Sequence, residues 1–282
     1  MNFRQVSIIG VGLLGGSLGL ALKRRRLAAT VVGVGHRRST LEMAAARGAI
    51  DRWTLDVAEG VSGSDLVVLA TPVSRFGPLM AEAAPALSAG CLVTDVGSTK
   101  RAVLEAVLPY LPANCRFVGS HPLTGSEARG IEAARDDLYD GALVLVTPTT
   151  AGDEAAVARI EELWRALGGR TRRIDAATHD HLLAQTSHLP HLAASLLVEV
   201  LSEEATGLVS TGFLDTTRVA SGDPAMWRDI FMTNRDEVLR AVERLEASLA
   251  AAKAALEAGD GAAMEALLQR AKRRRDELRN GK

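Results

Sequence analysis

Residues 6–17, reading VSIIGVGLLGGS, constrain this chain more than any other stretch. The apolar run Val6, Ile8, Ile9 meets Gly10-Val11-Gly12-Leu13-Leu14-Gly15, and Leu18, Leu20, Ala21 and Leu22 then recur at helical spacing. This is G-x-G-x-x-G between a predicted strand and a predicted helix. A second apolar strand, residues 30–34, follows at the distance a β-α-β unit needs. In such a unit the first glycine permits the turn, the second lets a pyrophosphate approach the backbone, and the third lets helix and strand pack closely. The phosphates then sit over the free N–H groups of the helix N-terminus. Gly10, Gly12, Leu13, Leu14 and Gly15 are therefore candidate dinucleotide contacts.

The end of the second strand in such units carries an acid that holds the adenosine ribose of NAD. Here that point reads Gly33-Val34-Gly35-His36-Arg37-Arg38, without Asp or Glu. His36, Arg37 and Arg38 suit a 2′-phosphate, so the expectation leans to NADP, with NAD held through other contacts as the alternative. A short helix follows at 39–47, with Ser39 as its N-cap. The run DLVVLA at 65–70 is apolar throughout, as a parallel sheet covered on both faces requires. It ends at Thr71-Pro72, at the strand end where ligands bind in open α/β sheets. Further strands are expected at 91–95, 116–119, 142–146 and 170–174, with helices at 76–87, 101–108 and 155–167. The strand ends lead into Asp95-Val96-Gly97-Ser98-Thr99-Lys100 and into a loop, Ser120-His121-Pro122-Leu123-Thr124-Gly125-Ser126-Glu127.

Beyond residue 175 the periodicity turns helical. Helices are expected at 178–206, interrupted at Pro190, at 225–256 and at 262–278, with a break at 210–224. Val238, Leu239, Val242, Leu245, Leu249 and Leu256 form an apolar stripe at helical spacing. The fold class is thus α/β: a dinucleotide-binding domain over 1–175 with a mostly parallel sheet, and an all-helical domain over 176–282.

Composition narrows the function classes. The formal charge of −1 gives no electrostatic case for nucleic acid, and the basic run Arg273-Arg274-Arg275 reads as a solvated helix end. Cys91 and Cys115 form no ligand cluster and read as buried thiols. No signal peptide and no membrane-length apolar window is read, so the expectation is a cytoplasmic protein. Four of the six histidines, His179, His181, His188 and His191, fall within 13 residues. On a helix His181, His188 and His191 could share one face, which keeps a zinc site open as a competitor. A half-buried, satisfied imidazole is the plainer reading of His179 and His181. His121 differs: beside the expected nicotinamide end, a near-neutral imidazole is the natural acceptor of an alcohol proton.

Several segments, taken together, resemble the prephenate and arogenate dehydrogenase family of tyrosine biosynthesis. They are GVGLLGGSLGLAL at 10–22, ATP at 70–72, TDVGSTK at 94–100, GSHPLTGSEARGIEAA at 119–134, THDHLLAQTSHLPH at 178–191 and TRVASGDPAMWRDIFMTN at 217–234. The last three are far more specific than the glycine motif. The resemblance implies a Rossmann-like domain followed by a helical domain that makes a homodimer. It implies oxidative decarboxylation of a cyclohexadienyl substrate with hydride transfer to NAD or NADP. His121 matches the family's proton acceptor and Ser98 the serine that bonds the ring hydroxyl or orients the histidine. Ser187, His188, His191 and Arg218 match substrate-binding positions, Arg218 as a fork for a carboxylate. Trp227 reads as a packing anchor, and Lys100 as either a support of the strand-end loop or a solvated lysine. No resident metal is expected. The second imidazole of SHLPH resembles the prephenate-using branch, so prephenate is the expected substrate, with arogenate as the alternative. No regulatory domain is expected in a chain of this length, and any control by tyrosine is expected at the active site. A hydroxyacid-type dehydrogenase, a nucleotide sensor without turnover and a metal hydrolase are the rival readings.

Overall fold

The computed structural model describes residues 2–124, 128–149 and 154–280. The chain runs β1 (Phe3–Ile9), α1 (Leu13–Arg24), β2 (Ala28–Val34), α2 (Arg38–Ala46), β3 (Arg52–Thr54), α3 (Val57–Val61), β4 (Leu66–Leu69), α4 (Phe76–Ala83), β5 (Leu92–Asp95), α5 (Arg101–Val107), β6 (Arg116–Pro122), β7 (Leu143–Thr147), α6 (Glu154–Ala166) and β8 (Arg170–Arg173). Helices follow: α7 (Ala176–Leu183), a π-helical turn (Ala184–His188), α8 (Leu189–Glu199), α9 (Thr211–Thr217), α10 (Pro224–Thr233), α11 (Arg235–Glu257) and α12 (Gly261–Asn280).

The strands form one sheet in the order β3-β2-β1-β4-β5-β6-β7-β8. Neighbours from β3 to β6 are parallel, β7 runs antiparallel to β6, and β8 is parallel to β7. The order reverses between β1 and β4, which opens a crevice at the carboxyl ends of those strands. Because successive side chains point to opposite faces, β4 feeds two cores at once. Leu66 and Val68 join Leu18, Leu22 and Trp164 on one face. Val67 and Leu69 join Phe76, Met80 and Val103 on the other. That is why the strand reads as an unbroken apolar run. Cys91 and Cys115 are buried in the second core, and burial pushes the Cys91 thiol up to about 12.

The chain divides into two compact units, Met1–Arg235 and Asp236–Lys282. The first holds the whole sheet and every side chain discussed below as part of the site. Within the second, Leu245, Leu249 and Leu267 line a shallow pocket, while Leu256, Leu268 and Leu278 are exposed. No described helix is long and apolar enough to cross a membrane.

Several local expectations need correction. His121 lies within β6, not in a loop, because β6 continues past the end of β5 and pairs there with β7. Ser39 is inside α2, whose N-cap is Arg37 without a side-chain bond. The interruption near Pro190 is the π-helical turn before it, and Pro190 follows as the second residue of α8. The helix expected over 225–256 breaks at Asn234, the C-cap of α10. The short β3 and α3 lie between the expected elements, and the break at 210–224 contains α9 and a 3-10 turn, Arg218–Ser221.

Candidate active site

The glycine motif builds its part of the site by what each position tolerates. Gly10 sits at φ +100°, and a Cβ there would fall 2.8 Å from the backbone of Ala70 and from Thr71. A Cβ on Gly15 would lie 2.0 Å from the Gly10 carbonyl oxygen, so helix and turn touch only because it is absent. A Cβ on Gly12 would meet nothing within 4 Å. Gly12 is also the N-cap of α1 and offers no side-chain cap, which leaves the first N–H groups of that helix to another acceptor. Open space above uncapped N–H groups fits a pyrophosphate. Leu13 and Leu14 open the helix, and Tyr139 donates 2.7 Å to the Leu14 carbonyl. Thr71 and Pro72 form the neighbouring wall beyond β4. His36, Arg37 and Arg38 are exposed at the end of β2, with the Arg38 guanidinium 5.3 Å from the centre of the Trp53 ring. These groups line one rim of the crevice.

Along the same rim the β5 loop and β6 are tied together by Asp95, which is fully buried. Asp95 accepts from Gly97 N at 2.7 Å and from Ser120 N at 2.9 Å, and pairs with the buried Lys100 ammonium. Burial lowers the Lys100 pKa while Asp95 opposes the fall. The half-buried Ser98 lies in the loop after β5, between Gly97 and Lys100 of this knot. Side-chain alternation does the rest. Ser120 points into the first core, bonded to Thr94 and to Trp164 Nε1, each at 2.9 Å. His121 therefore points to the opposite face, where α7 lies.

There His121 Nδ1 is 2.9 Å from His179 Nε2, and His179 Nδ1 is 2.8 Å from Asp180 Oδ1. The Asp180 carboxyl also accepts from the backbone N–H groups of Lys100 (2.7 Å) and Arg101 (2.9 Å). Burial alone would raise its pKa, but His179 and these N–H groups outweigh it and hold the carboxyl below its usual range. The protons then follow. An ionised carboxylate only accepts, so His179 Nδ1 donates to it. A neutral His179 must accept at Nε2, so His121 Nδ1 donates there, and the lone pair of His121 is left on Nε2. Burial, followed by His179, Lys100 and His188, pushes the His121 pKa well below the ordinary histidine value, which keeps that lone pair available at neutral pH.

A second group lies on the helices. His188 closes the π-helical turn, is 1% exposed, and receives Asn234 Nδ2 at 3.1 Å on its Nδ1. Burial pushes its pKa down to about 4. His191 stacks on Trp227, ring centres 3.6 Å apart, so Trp227 both packs and faces an imidazole. Among the described residues, His188 Nε2, His191 Nδ1 and Asn234 Oδ1 are buried polar atoms without a partner. Ser187 is half-buried in the same turn. Arg218 is exposed, in the 3-10 turn that packs on α8. His181 turns away to Gln185 at 3.0 Å, because the π-helical turn shifts its register from that of His188 and His191. Gly125, Ser126 and Glu127 of the expected loop lie outside the described residues. Among the described residues, no group of three or more His, Cys, Asp or Glu side chains is disposed to hold a metal.

Sequence reasoning missed the roles of Asp95, Asp180 and Asn234, and left His179 and Lys100 undecided. The adjacent His179-Asp180 pair was the available signal: it puts a carboxylate next to one histidine of a cluster. Nothing in the spacing linked it to His121, 58 residues earlier.

Comparison with known proteins agrees with this geometry. Residues 18–173 match the family model for the prephenate dehydrogenase nucleotide-binding domain, and residues 175–270 that for the prephenate dehydrogenase dimerization domain. Cyclohexadienyl dehydrogenase of Zymomonas mobilis is 35% identical over 92% of this chain and 90% of its own. Prephenate dehydrogenase from A. aeolicus, solved with hydroxyphenyl propionate and NAD+, superposes with a TM-score of 0.91 at 31% identity, over 99% of each chain. Synechocystis arogenate dehydrogenase superposes at 0.82 and 28% identity, over 97% of this chain and 99% of its own. With both halves of its length matched by the two family models, and the dinucleotide turn and buried histidine chain in place, this chain belongs to the prephenate dehydrogenase family.

Proposed function

We propose that His121 is the proton acceptor in oxidative decarboxylation of prephenate to 4-hydroxyphenylpyruvate, a step of tyrosine synthesis. The observation that carries the reading is the chain His121–His179–Asp180, which leaves His121 Nε2 bare at the strand end. Its position beside the dinucleotide rim supports the same role. His121 Nε2 takes the proton of the ring hydroxyl as the carbinol carbon gives up hydride. When bound, the nicotinamide supplies the hydride acceptor. Loss of the ring carboxylate as carbon dioxide returns an electron pair to the ring. The oxygen becomes phenolic and takes the proton back from His121, so the histidine ends as it began. Ser98 bonds the same hydroxyl and orients it. Ser187, His188 and His191 hold the side-chain end of the substrate, and Arg218 pairs with a carboxylate.

NADP is the proposed cofactor, supported by the three basic or donor side chains, His36, Arg37 and Arg38, at the end of β2 and the missing acid there. The division into a cofactor domain over 1–175 and a helical domain over 176–282 is supported by the end of the sheet at Arg173. A homodimer made by the helical part is supported by the name of its family model and by the exposed leucines of α11 and α12.

The test is nicotinamide reduction by the purified protein, with NAD and NADP side by side, first with prephenate and then with arogenate. Rapid NADP reduction with prephenate is expected. No reduction with either substrate refutes the reaction, and faster turnover with NAD or with arogenate refutes the finer assignment.

A further inference from the structure

Asn234 closes α10 and is 2% exposed, yet its amide does not cap its own helix: it reaches across to α7 and the π-helical turn. Its Nδ2 lies 2.8 Å from the backbone carbonyl oxygen of Asp180. A carbonyl only accepts, so the atom facing it is the amide NH2, and the orientation of the amide is settled. The second hydrogen of the same NH2 points to His188 Nδ1 at 3.1 Å. An NH2 group only donates, so His188 Nδ1 carries the lone pair and the proton of this neutral imidazole is on Nε2. That N–H is buried and has no partner among the described residues. A buried donor without a partner is destabilising unless something accepts from it.

We propose that Asn234 is a positioning residue that locks His188 as an Nε2–H donor, aimed at an oxygen acceptor on the substrate side chain, and so favours a keto group over an ammonium. The inference rests on the reading above, in which His188 faces the substrate. A keto oxygen accepts from Nε2–H. An ammonium has only hydrogens to present, and meets a donor where it needs an acceptor. With the tautomer reversed, the lone pair would face the substrate and the preference would reverse with it. Asp180 thereby serves two histidines: its carboxylate fixes His121 through His179, and its carbonyl fixes Asn234 and through it His188. The two effects are separable, because Asn234 touches the second without touching the first.

The experiment combines tautomer and kinetics. Nitrogen-15 NMR of the histidine-labelled wild-type protein, with His188 assigned by its loss in His188→Ala, is expected to show a neutral Nε2–H imidazole at pH 7. An Nδ1–H imidazole overturns the proposal, and this measurement needs no variant at Asn234 to fold. In Asn234→Ala the two tautomers are expected to mix. KM for prephenate should rise about tenfold, the usual worth of one hydrogen bond in a dry site. kcat should change less, the acid limb of its pH profile should stay in place, and the ratio of kcat/KM for prephenate over arogenate should fall. In the double variant with His188→Ala, removal of Asn234 should cost nothing further. Additive losses, or an unchanged KM in Asn234→Ala beside a raised KM in His188→Ala, overturn the role of Asn234 alone. An unchanged KM in His188→Ala instead refutes the contact between His188 and substrate on which the proposal rests.

Discussion

Asp180→Asn tests whether the histidine chain acts on chemistry or only on architecture. The substitution keeps shape and removes charge. With its oxygen in the place of Oδ1, the amide still accepts from His179 and from Lys100 N, so the tautomers of His179 and His121 survive. Its NH2 then faces the Arg101 N–H, and one hydrogen bond to a charged acceptor is lost together with the ion pair to the Arg101 side chain 3.6 Å away, about 2 kcal/mol of stability. The effect on rate comes from the charge. The ring centres of His121 and His179 are 5.1 Å apart, and the carboxylate lies beyond His179. A separation of about 8 Å at an effective dielectric of about 20 gives roughly 2 kcal/mol of attraction between the anion and a protonated His121. Losing it slows a step that forms the full imidazolium by about 30-fold. It also moves the acid limb of the kcat profile down by up to about 1.5 pH units. The assay is kcat against pH with saturating prephenate and cofactor, beside a thermal melt of the same protein. A lower melting temperature with kcat within about twofold of the parent and an unmoved acid limb would make Asp180 a cap for the start of α5 and nothing more, and would refute the chain as a proton-handling unit.

Other outcomes follow from the same geometry. His121→Asn should retain cofactor binding by fluorescence titration and lose about two orders of magnitude or more in turnover, the usual worth of a general base; near-normal turnover would sink the assignment. Gly12→Ala should melt like the parent but bind NADP at least about tenfold more weakly, since its Cβ fills only the space a pyrophosphate needs. Gly15→Ala, whose Cβ would strike the Gly10 carbonyl oxygen, should instead lose stability, and equal melting temperatures for the two would contradict the division of roles. Acid should weaken the fold through His188. Its pKa is about 4 folded against about 6.5 unfolded, so between those values the unfolded chain binds a proton that the folded one refuses. Stability is lost as pH falls through that window, by about 3 kcal/mol. Urea midpoints at pH 7 and 4.5 should diverge less in His188→Gln, while His121 and His179 keep part of the slope; an equal divergence would refute the buried neutral state.

The fold was legible where one local rule sufficed. The parallel strands announce themselves because both of their faces are buried, so β4 reads LVVL without a polar residue. The glycine turn is legible because close contacts leave only glycine at Gly10 and Gly15, while Gly12 keeps open the space above the helix N-terminus. β3 and α3 were missed because three residues and five residues are too few to show a period. The π-helical turn was invisible because its residues are ordinary helix formers and only its hydrogen-bond register differs. His121 was singled out by its neighbours in sequence but placed in a loop, since the pairing that extends β6 comes from β7, more than 20 residues on. The site's inner groups were hidden for a related reason. Asp95, Lys100 and Asp180 are charged residues of kinds mostly found at the surface, and they are buried because each meets its partner only after folding.

That burial pattern bears on how labour is divided along the chain. The dinucleotide turn needs only β1, α1 and the ends of β2 and β4, all before residue 75. His121, the proposed proton acceptor, sits on β6, but nothing on the sheet decides which of its nitrogens carries the proton. That decision comes from His179 and Asp180 on α7, and Asp180 in turn is held by the backbone at the start of α5. A chain cut after residue 175 would keep the groups that grip a pyrophosphate and would leave His121 free to place its proton on either nitrogen. In one of those tautomers Nε2 carries the proton and has no lone pair for an alcohol. On the proposed assignment α7 therefore helps set the base, and cofactor affinity and turnover should respond independently to changes in it.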